Sequence, residues 1–483
     1  MMGPLEYALI ALGAILAILV IIILIRTLTF RPKAGFVPED STVDFDRERA
    51  FMNLRELVMC KTISSYDPAN EDDAEFERFV SLIPKLYPSF AKTCPLTRFD
   101  GRALLFKWEG KTHDAPSVMM SHYDVVPVNE ADWEKPPFGG VIENDVLWGR
   151  GTLDTKATLA SALFAADKLI EDGFTPECDV YFAFSGGEEV NGCGAVNIVD
   201  YFEKNNITPS LVLDEGGAVV NDVFPGVKKP AALIGVAEKG MINMEYSVKG
   251  GGGHASAPKP KTPIGRLSRA CTRIESNPFR YRMTPPVSEM FSTMGRHSNF
   301  LFRMIFANLW AFGWAISLLG KLTGGELNAM VRTTVAFTQM EGSSAPNVIP
   351  PSARMVSNLR LNPDDSVETA YNYIRKTVKD ESIEVKILES HEPSRVSLAY
   401  TDGFNRVGAA ISSTWRDAIV SPYLMVQCSD SRHWGRISDR VYRFSAMDMT
   451  GEERKTIHGN NERIRKDALG RATEFYIRLL KKC

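Results

Sequence analysis

Hydrophobic residues follow three rhythms along this chain, and each predicts a different kind of element. From Tyr7 to Ile25 run nineteen residues without a charge, rich in Leu, Ile, Ala and Val. About 20 such residues suffice to cross a bilayer as a helix. A cleaved signal peptide has a shorter apolar region, typically about 7 to 15 residues, with a basic residue before it and a small-residue cleavage site after. Here Glu6 precedes and no such site follows, so residues 1–30 predict an uncleaved N-terminal transmembrane helix. The second rhythm is the short apolar run closed by turn residues: Val118–Met120, Val180–Phe184 and Leu211–Leu213. Such runs read as strands buried on both faces of a sheet. The third is the Ala- and Leu-rich stretch Thr155–Asp172, closed by Gly173, which has the composition and stop signal of a helix.

Strand, loop and helix alternate through the first half, which predicts an α/β fold with a central, mainly parallel sheet. Arg31–Asp46, rich in Pro, charge and Ser/Thr, reads as a linker. The strand-like segments Met241–Val248 and Ile383–Leu388, with helical Thr369–Val378 between them, imply an inserted α+β domain. The expected division is 47–237 and 392–483 for the main domain and 238–391 for the insertion. Met304–Gly320 is uncharged throughout and bounded by Arg303 and Lys321. Three readings of it compete: a buried helix, a membrane-facing patch, or a wall that receives a long acyl chain.

Composition narrows the chemistry. A chain of 483 residues with formal charge −3 has no concentrated basic surface to suggest nucleic acid. Its seven cysteines are widely spaced without a CxxC pair, which indicates neither a structural zinc module nor a disulfide framework.

The three apolar runs end in metal-ligand residues: Ser121-His122-Tyr123-Asp124, Gly186-Gly187-Glu188-Glu189 and Asp214-Glu215. Open α/β sheets place their chemistry beyond the carboxyl ends of such strands. Asp154 lies on the glycine-rich loop Gly149–Asp154 at the entrance to a helix, and His458 lies late in Ile457-His458-Gly459-Asn460-Asn461-Glu462. A two-metal hydrolase needs a carboxylate shared by both ions, further N/O ligands for each, and a separate base for the water between them. This chain offers that set.

The order and spacing of His-x-Asp, Gly-x-Gly-x-x-Asp, Gly-Glu-Glu, Asp-Glu-Gly-Gly, Gly-Gly-His-Ala-Ser, Asn-Val-Ile-Pro and a terminal His-Gly resemble the zinc-dependent carboxypeptidase and aminoacylase family. That family includes carboxypeptidase S, glutamate carboxypeptidase, aminoacylase and carnosinase. The resemblance implies two zinc ions, with Co2+ or Mn2+ as substitutes. Asp154 would bridge them, with His122 and Asp214 on one ion, Glu189 and His458 on the other, Glu188 as general base and Asp124 orienting the His122 imidazole. Asp214 is followed by Glu215; the branch resembling carboxypeptidase S uses the Asp. The insertion would be a lid that also mediates homodimerisation. His254 would stabilise the oxyanion, often in the partner subunit's site, while Asn347 and Arg360 would hold the substrate carbonyl and carboxylate, with Arg354 a competitor for the latter role.

The implied reaction is hydrolysis of an amide whose amine side is an amino acid with a free carboxylate. N-acyl amino acids, lipidated ones included, are the first substrate class and small peptides the second. A membrane-tethered binding protein of this fold would lack the base or a ligand, and all are present. Phosphoester hydrolysis would also suit two metals, but Asn347 and Arg360 argue against it. Arg26, Arg31 and Lys33 after the span favour a cytoplasmic enzyme by the positive-inside rule. Resemblance to vacuolar and secreted relatives favours a lumenal or extracellular one, as does the glycosylation acceptor pattern Asn206-Ile207-Thr208. The expectation adopted is a single-pass protein with its catalytic domain outside.

Overall fold

The short apolar runs become the middle of a ten-stranded sheet. The computed structural model, which describes residues 3–221 and 224–483, extends them into strands Thr112–His122, Cys178–Ser185 and Leu211–Asp214. The first of these pairs parallel with both others, Met119 lying opposite Phe182 on one side and Leu213 on the other. Alternate residues of a strand point to opposite faces. Met119, Val180 and Phe182 therefore enter the principal core, which they share with Leu159, Leu163 and other residues of helix Lys156–Glu171. Val118, Met120, Tyr181 and Ala183 pack on the other face against Ile198, Val199 and Phe202 of helix Gly194–Lys204.

The sheet is mixed: its centre is parallel, as expected, but antiparallel pairs lie toward both edges. At one edge Leu96–Phe99 folds back antiparallel on Ala103–Trp108, which in turn pairs antiparallel with Cys178–Ser185. The turn between the first two is made by Gly101 and Arg102, both at positive φ (75° and 54°), a conformation that suits tight hairpins. Towards the other edge Ala231–Glu238 pairs antiparallel with Val441–Arg443 and Val219–Val220 but parallel with Ile419–Met425.

A second, wholly antiparallel sheet runs in the order Thr334–Glu341, Ser352–Leu361, Gly240–Lys249, Ile383–His391. It has its own core, in which Ile242, Met244 and Tyr246 meet Leu267 and Ile274 of helix Pro263–Ser276 and Ile374 of helix Val367–Val378. The stretch between these strands does not belong to that core. Helices Pro285–His297, Phe300–Ala307 and Leu309–Thr323 send Val287, Met290, Phe291, Phe306 and Ile316 into the principal core instead.

The first helix, Pro4–Thr29, has a mean hydropathy of 3.4 in its most apolar window and buries Thr27 alone. Its last turns are tied to the helical insertion: Asn308 Nδ2 donates to the Ile23 carbonyl (3.2 Å) and to Thr27 Oγ1 (3.3 Å), and Arg26 Nε donates to the Ala307 carbonyl (3.1 Å).

Candidate metal centre

His122 is the last residue of its strand, with a ring only 2% exposed. Nδ1 lies 3.0 Å from the Asp124 carbonyl and 3.4 Å from its carboxylate. Those acceptors favour the proton on Nδ1 and leave the Nε2 lone pair aimed outward, the usual way a metal-binding imidazole is set. Nε2 faces Asp154 Oδ1 at 3.0 Å and Glu215 Oε1 at 3.5 Å. Asp124, fully buried, also accepts from the backbone amides of Glu188 (3.1 Å) and Glu189 (3.2 Å). It thus fixes the imidazole and the turn that carries the two glutamates together.

The glycine loop is held from the far end of the chain. Glu462, fully buried, accepts from the backbone amides of Gly151 (3.0 Å), Leu153 (2.7 Å) and Asp154 (3.1 Å) and from Arg150 Nη1 (2.7 Å). Arg150 Nη2 also donates to the Gly459 carbonyl at 2.7 Å. Gly151 takes φ +86°, and a Cβ there would meet Val125 Cγ1 at 2.7 Å, so both conformation and space require glycine. This clasp brings His458 over the loop, its Nε2 3.0 Å from Asp154 Oδ2 and 3.1 Å from Glu189 Oε2. Asp154 therefore stands between two imidazoles, one on each oxygen.

Asp214 is placed differently from the sequence expectation. Its Oδ1 accepts from the Glu215 amide and its Oδ2 from the Ser431 amide, both at 2.9 Å. The neighbouring residue faces His122 in its stead, because the last residue of the strand is turned into backbone donors and the next side chain projects beyond the sheet end. Two overlapping sets, His122–Glu188–Glu215 and His122–Asp154–Glu189, have potential ligand atoms within 4.8 Å of one another.

Burial pushes the Glu188 carboxyl well above its ordinary range, Glu215 up to about 8 and Asp214 up to about 6. Asp154 is also buried, but hydrogen bonds from His122 and His458 outweigh that and hold it below the usual range. Hydrogen bonds to Asp154 and Glu189 raise His458 to about 10. Three carboxylates, Asp154, Glu189 and Glu215, thus converge on two imidazoles, and among the described residues none of the three is paired with Lys or Arg. Carboxylates gathered this closely are costly without positive charge among them, and a mixed N/O donor set of this kind fits divalent cations such as zinc. These residues could hold metal ions.

The remaining expected residues lie on the second sheet's side. His254 and Asn347 are exposed and adjacent: His254 pairs with Val348 across a two-residue bridge, and the Asn347 carbonyl accepts from the Ala255 amide at 3.0 Å. They come together, but away from contact with the metal-ligand set. Arg360 is half-buried, donating to Asn358 Oδ1 (3.1 Å) and Cys428 Sγ (3.1 Å). From Asn358 a polar chain runs through Asn243 and Glu389 to Asn191, which also accepts from Arg432 at 3.1 Å and follows the Glu188–Glu189 turn directly. Arg354 is taken by Glu245 and Glu341. Sequence reading set Glu215 second to Asp214 and gave Glu462 and Arg432 no part. Glu215 and Glu462 sit inside the motifs that drew attention to Asp214 and His458, and were legible as neighbours; Arg432 had no such signal.

The sequence profile of Peptidase family M20/M25/M40 matches residues 118–482. The chain is 32% identical to "Probable carboxypeptidase S-like 2" of Dictyostelium discoideum, over 97% of this chain and 92% of that one. It is 31% identical to "N-fatty-acyl-amino acid synthase/hydrolase PM20D1" of Xenopus tropicalis, over 96% and 93%. Its fold is similar to that of the M20 family metallo-carboxypeptidase Sso-CP2 from Sulfolobus solfataricus, with a TM-score of 0.66, 19% identity and coverage of 89% and 98%. The chain accordingly belongs to Peptidase family M20/M25/M40 and is a metal-dependent hydrolase.

Proposed function

We propose that the protein is a membrane-anchored di-zinc hydrolase that cleaves the amide bond of N-acyl amino acids, N-fatty-acyl ones included, and releases the free amino acid. The placement of Asp154 carries this reading: its two oxygens lie 3.0 Å from His122 and 3.0 Å from His458. On that geometry Asp154 would be the shared ligand, with His122 and Glu215 holding one ion and Glu189 and His458 the other. Glu215 would take the place expected of Asp214, since Glu215 faces the His122 ring at 3.5 Å while the Asp214 oxygens turn to backbone amides. Bound ions would polarise the scissile carbonyl and acidify a water molecule.

The chain's own residues do the rest. Glu188, held by Asp124 through its backbone amide and raised in pKa by burial, takes the proton of the attacking water and delivers it to the leaving amine. Arg360 is a half-buried guanidinium whose fork suits the substrate carboxylate. His254 and Asn347 serve the carbonyl oxygen from a second copy of the chain, docked through the second sheet. Tyr7–Ile25 anchors the enzyme, with the catalytic domain on the lumenal or extracellular side.

The N-fatty-acyl preference is supported by the similarity to the Xenopus relative of that name. The similarity to a carboxypeptidase S-like protein favours a second reading, cleavage of small peptides. Release of free amino acid by the zinc-loaded enzyme from a long-chain N-acyl phenylalanine and from a Gly-Leu dipeptide separates them. Faster cleavage of the lipid amide supports the first; faster cleavage of the dipeptide replaces it with the second; no cleavage of either, with metal bound, refutes both.

A further inference from the structure

Helix Leu309–Thr323 buries only Ile316 and Gly320. Away from them Trp310, Trp314, Leu318 and Leu322 recur every fourth residue and are 55%, 69%, 49% and 76% exposed. That spacing puts them on one stripe. A surface helix of a water-soluble body carries polar residues there; this one carries its largest apolar side chains, with no charge before Lys321.

Where the stripe lies follows from how the helix is fastened. The chain bends by 106° between Phe300–Ala307 and Leu309–Thr323, and Asn308 at the bend is bonded to Ile23 and Thr27 of the N-terminal helix. If Tyr7–Ile25 spans a bilayer, Ile23 lies at the edge of the hydrocarbon, and Trp310 starts its helix at that level. Tryptophan favours this layer. Cationic groups flank the end of the N-terminal helix, as phosphate headgroups require: Arg26 donates to the Ala307 carbonyl, and Arg296 lies 4.2 Å over the Phe30 ring and donates to the Arg31 carbonyl.

We infer that helix Leu309–Thr323 lies in the interfacial layer of the bilayer crossed by Tyr7–Ile25, with the Trp310–Leu322 stripe against lipid, as a second attachment of the enzyme to the membrane. The inference rests on the anchor reading. Lipid is the occupant because the helix that carries the stripe starts at Asn308, which is bonded to a helix whose own apolar surface is uncovered. The same segment leads to the metal centre: Glu326 pairs with Arg454 at 3.0 Å, in the helix Gly451–Thr456 just before His458.

Full-length protein reconstituted in phosphatidylcholine vesicles with brominated acyl chains tests this through tryptophan fluorescence. Of the seven tryptophans, Trp108, Trp133, Trp415 and Trp434 are buried, and Trp310 and Trp314 are the most exposed. The expected result is quenching by brominated lipid that disappears in the Trp310→Phe, Trp314→Phe double variant, in protein that resists carbonate extraction. Carbonate-resistant protein with no such quenching overturns the inference and leaves the anchor standing. The same result in a protein that sediments as a dimer in detergent and yields Trp314→Cys cross-links between chains assigns the stripe to a second copy. Extraction by carbonate refutes the anchor itself.

Discussion

Replacing Glu462 by Gln separates the support of the metal centre from its chemistry. Glu462 is fully buried, its partner Arg150 is 2% exposed, and the carboxylate accepts four hydrogen bonds of 2.7–3.1 Å. Gln keeps the shape but removes the charge and turns a donor toward other donors. Leaving one member of a buried ion pair unpaired costs about 3–5 kcal/mol. The cost falls on the arrangement in which the Asp154 loop and the His458 loop face one another. At about 1.4 kcal/mol per tenfold, apparent metal affinity should fall by roughly two to three and a half powers of ten, because only the assembled fraction binds. Titration of Zn2+ against a competing chelator measures this, with circular dichroism to establish that the variant is folded. Glu462 touches no substrate in the proposed mechanism, so kcat at saturating metal should return close to the wild-type value. A folded variant with wild-type metal affinity would refute the clasp.

The other expectations concern the site and its surroundings. Glu188→Gln should lower kcat by about 10²–10⁴, the usual contribution of a positioned base, with metal content by elemental analysis unchanged; near-normal turnover removes Glu188 from the role. Glu215→Gln should release metal, whereas Asp214→Asn should retain both ions and lose about 1–3 kcal/mol of stability from disturbed backbone hydrogen bonds; the reverse outcome in metal analysis restores Asp214 as the ligand. Burial lowers Lys239 to about 7, assisted by Arg360, and Lys156 to about 8. The folded state has then released protons that the unfolded chain keeps until about pH 10.4, so these lysines make stability rise with pH from about 7 to 10.4. Lys239→Met should flatten that rise in melting temperature, and an unchanged slope would contradict the assignment.

Much of the centre was legible because strand ends announce themselves. Val118–Met120, Val180–Phe184 and Leu211–Leu213 are apolar on both faces, so the charged residues that follow them gather at one end of the sheet. The choice between Asp214 and Glu215 was not legible by the same logic. It depends on the register at which the strand ends, and on the Ser431 amide arriving from a segment more than two hundred residues away. The Glu462 contacts are invisible for the same reason: periodicity reports which face of an element is buried, not which distant backbone amides will need an acceptor. Met304–Gly320 shows the limit from the other side. Its composition alone allowed core, membrane or acyl wall, and the exposure of Trp314 against the burial of Ile316 separates them by face.

The clasp at Glu462 also orders events in time. His122, Asp154, the Glu188–Glu189 pair and Glu215 leave the ribosome first, while His458 and Glu462 follow more than two hundred residues later. At roughly 5–20 residues per second, the chain spends tens of seconds with most of its ligands translated and no centre to put them in. An unfinished or prematurely terminated chain is consequently silent as a hydrolase.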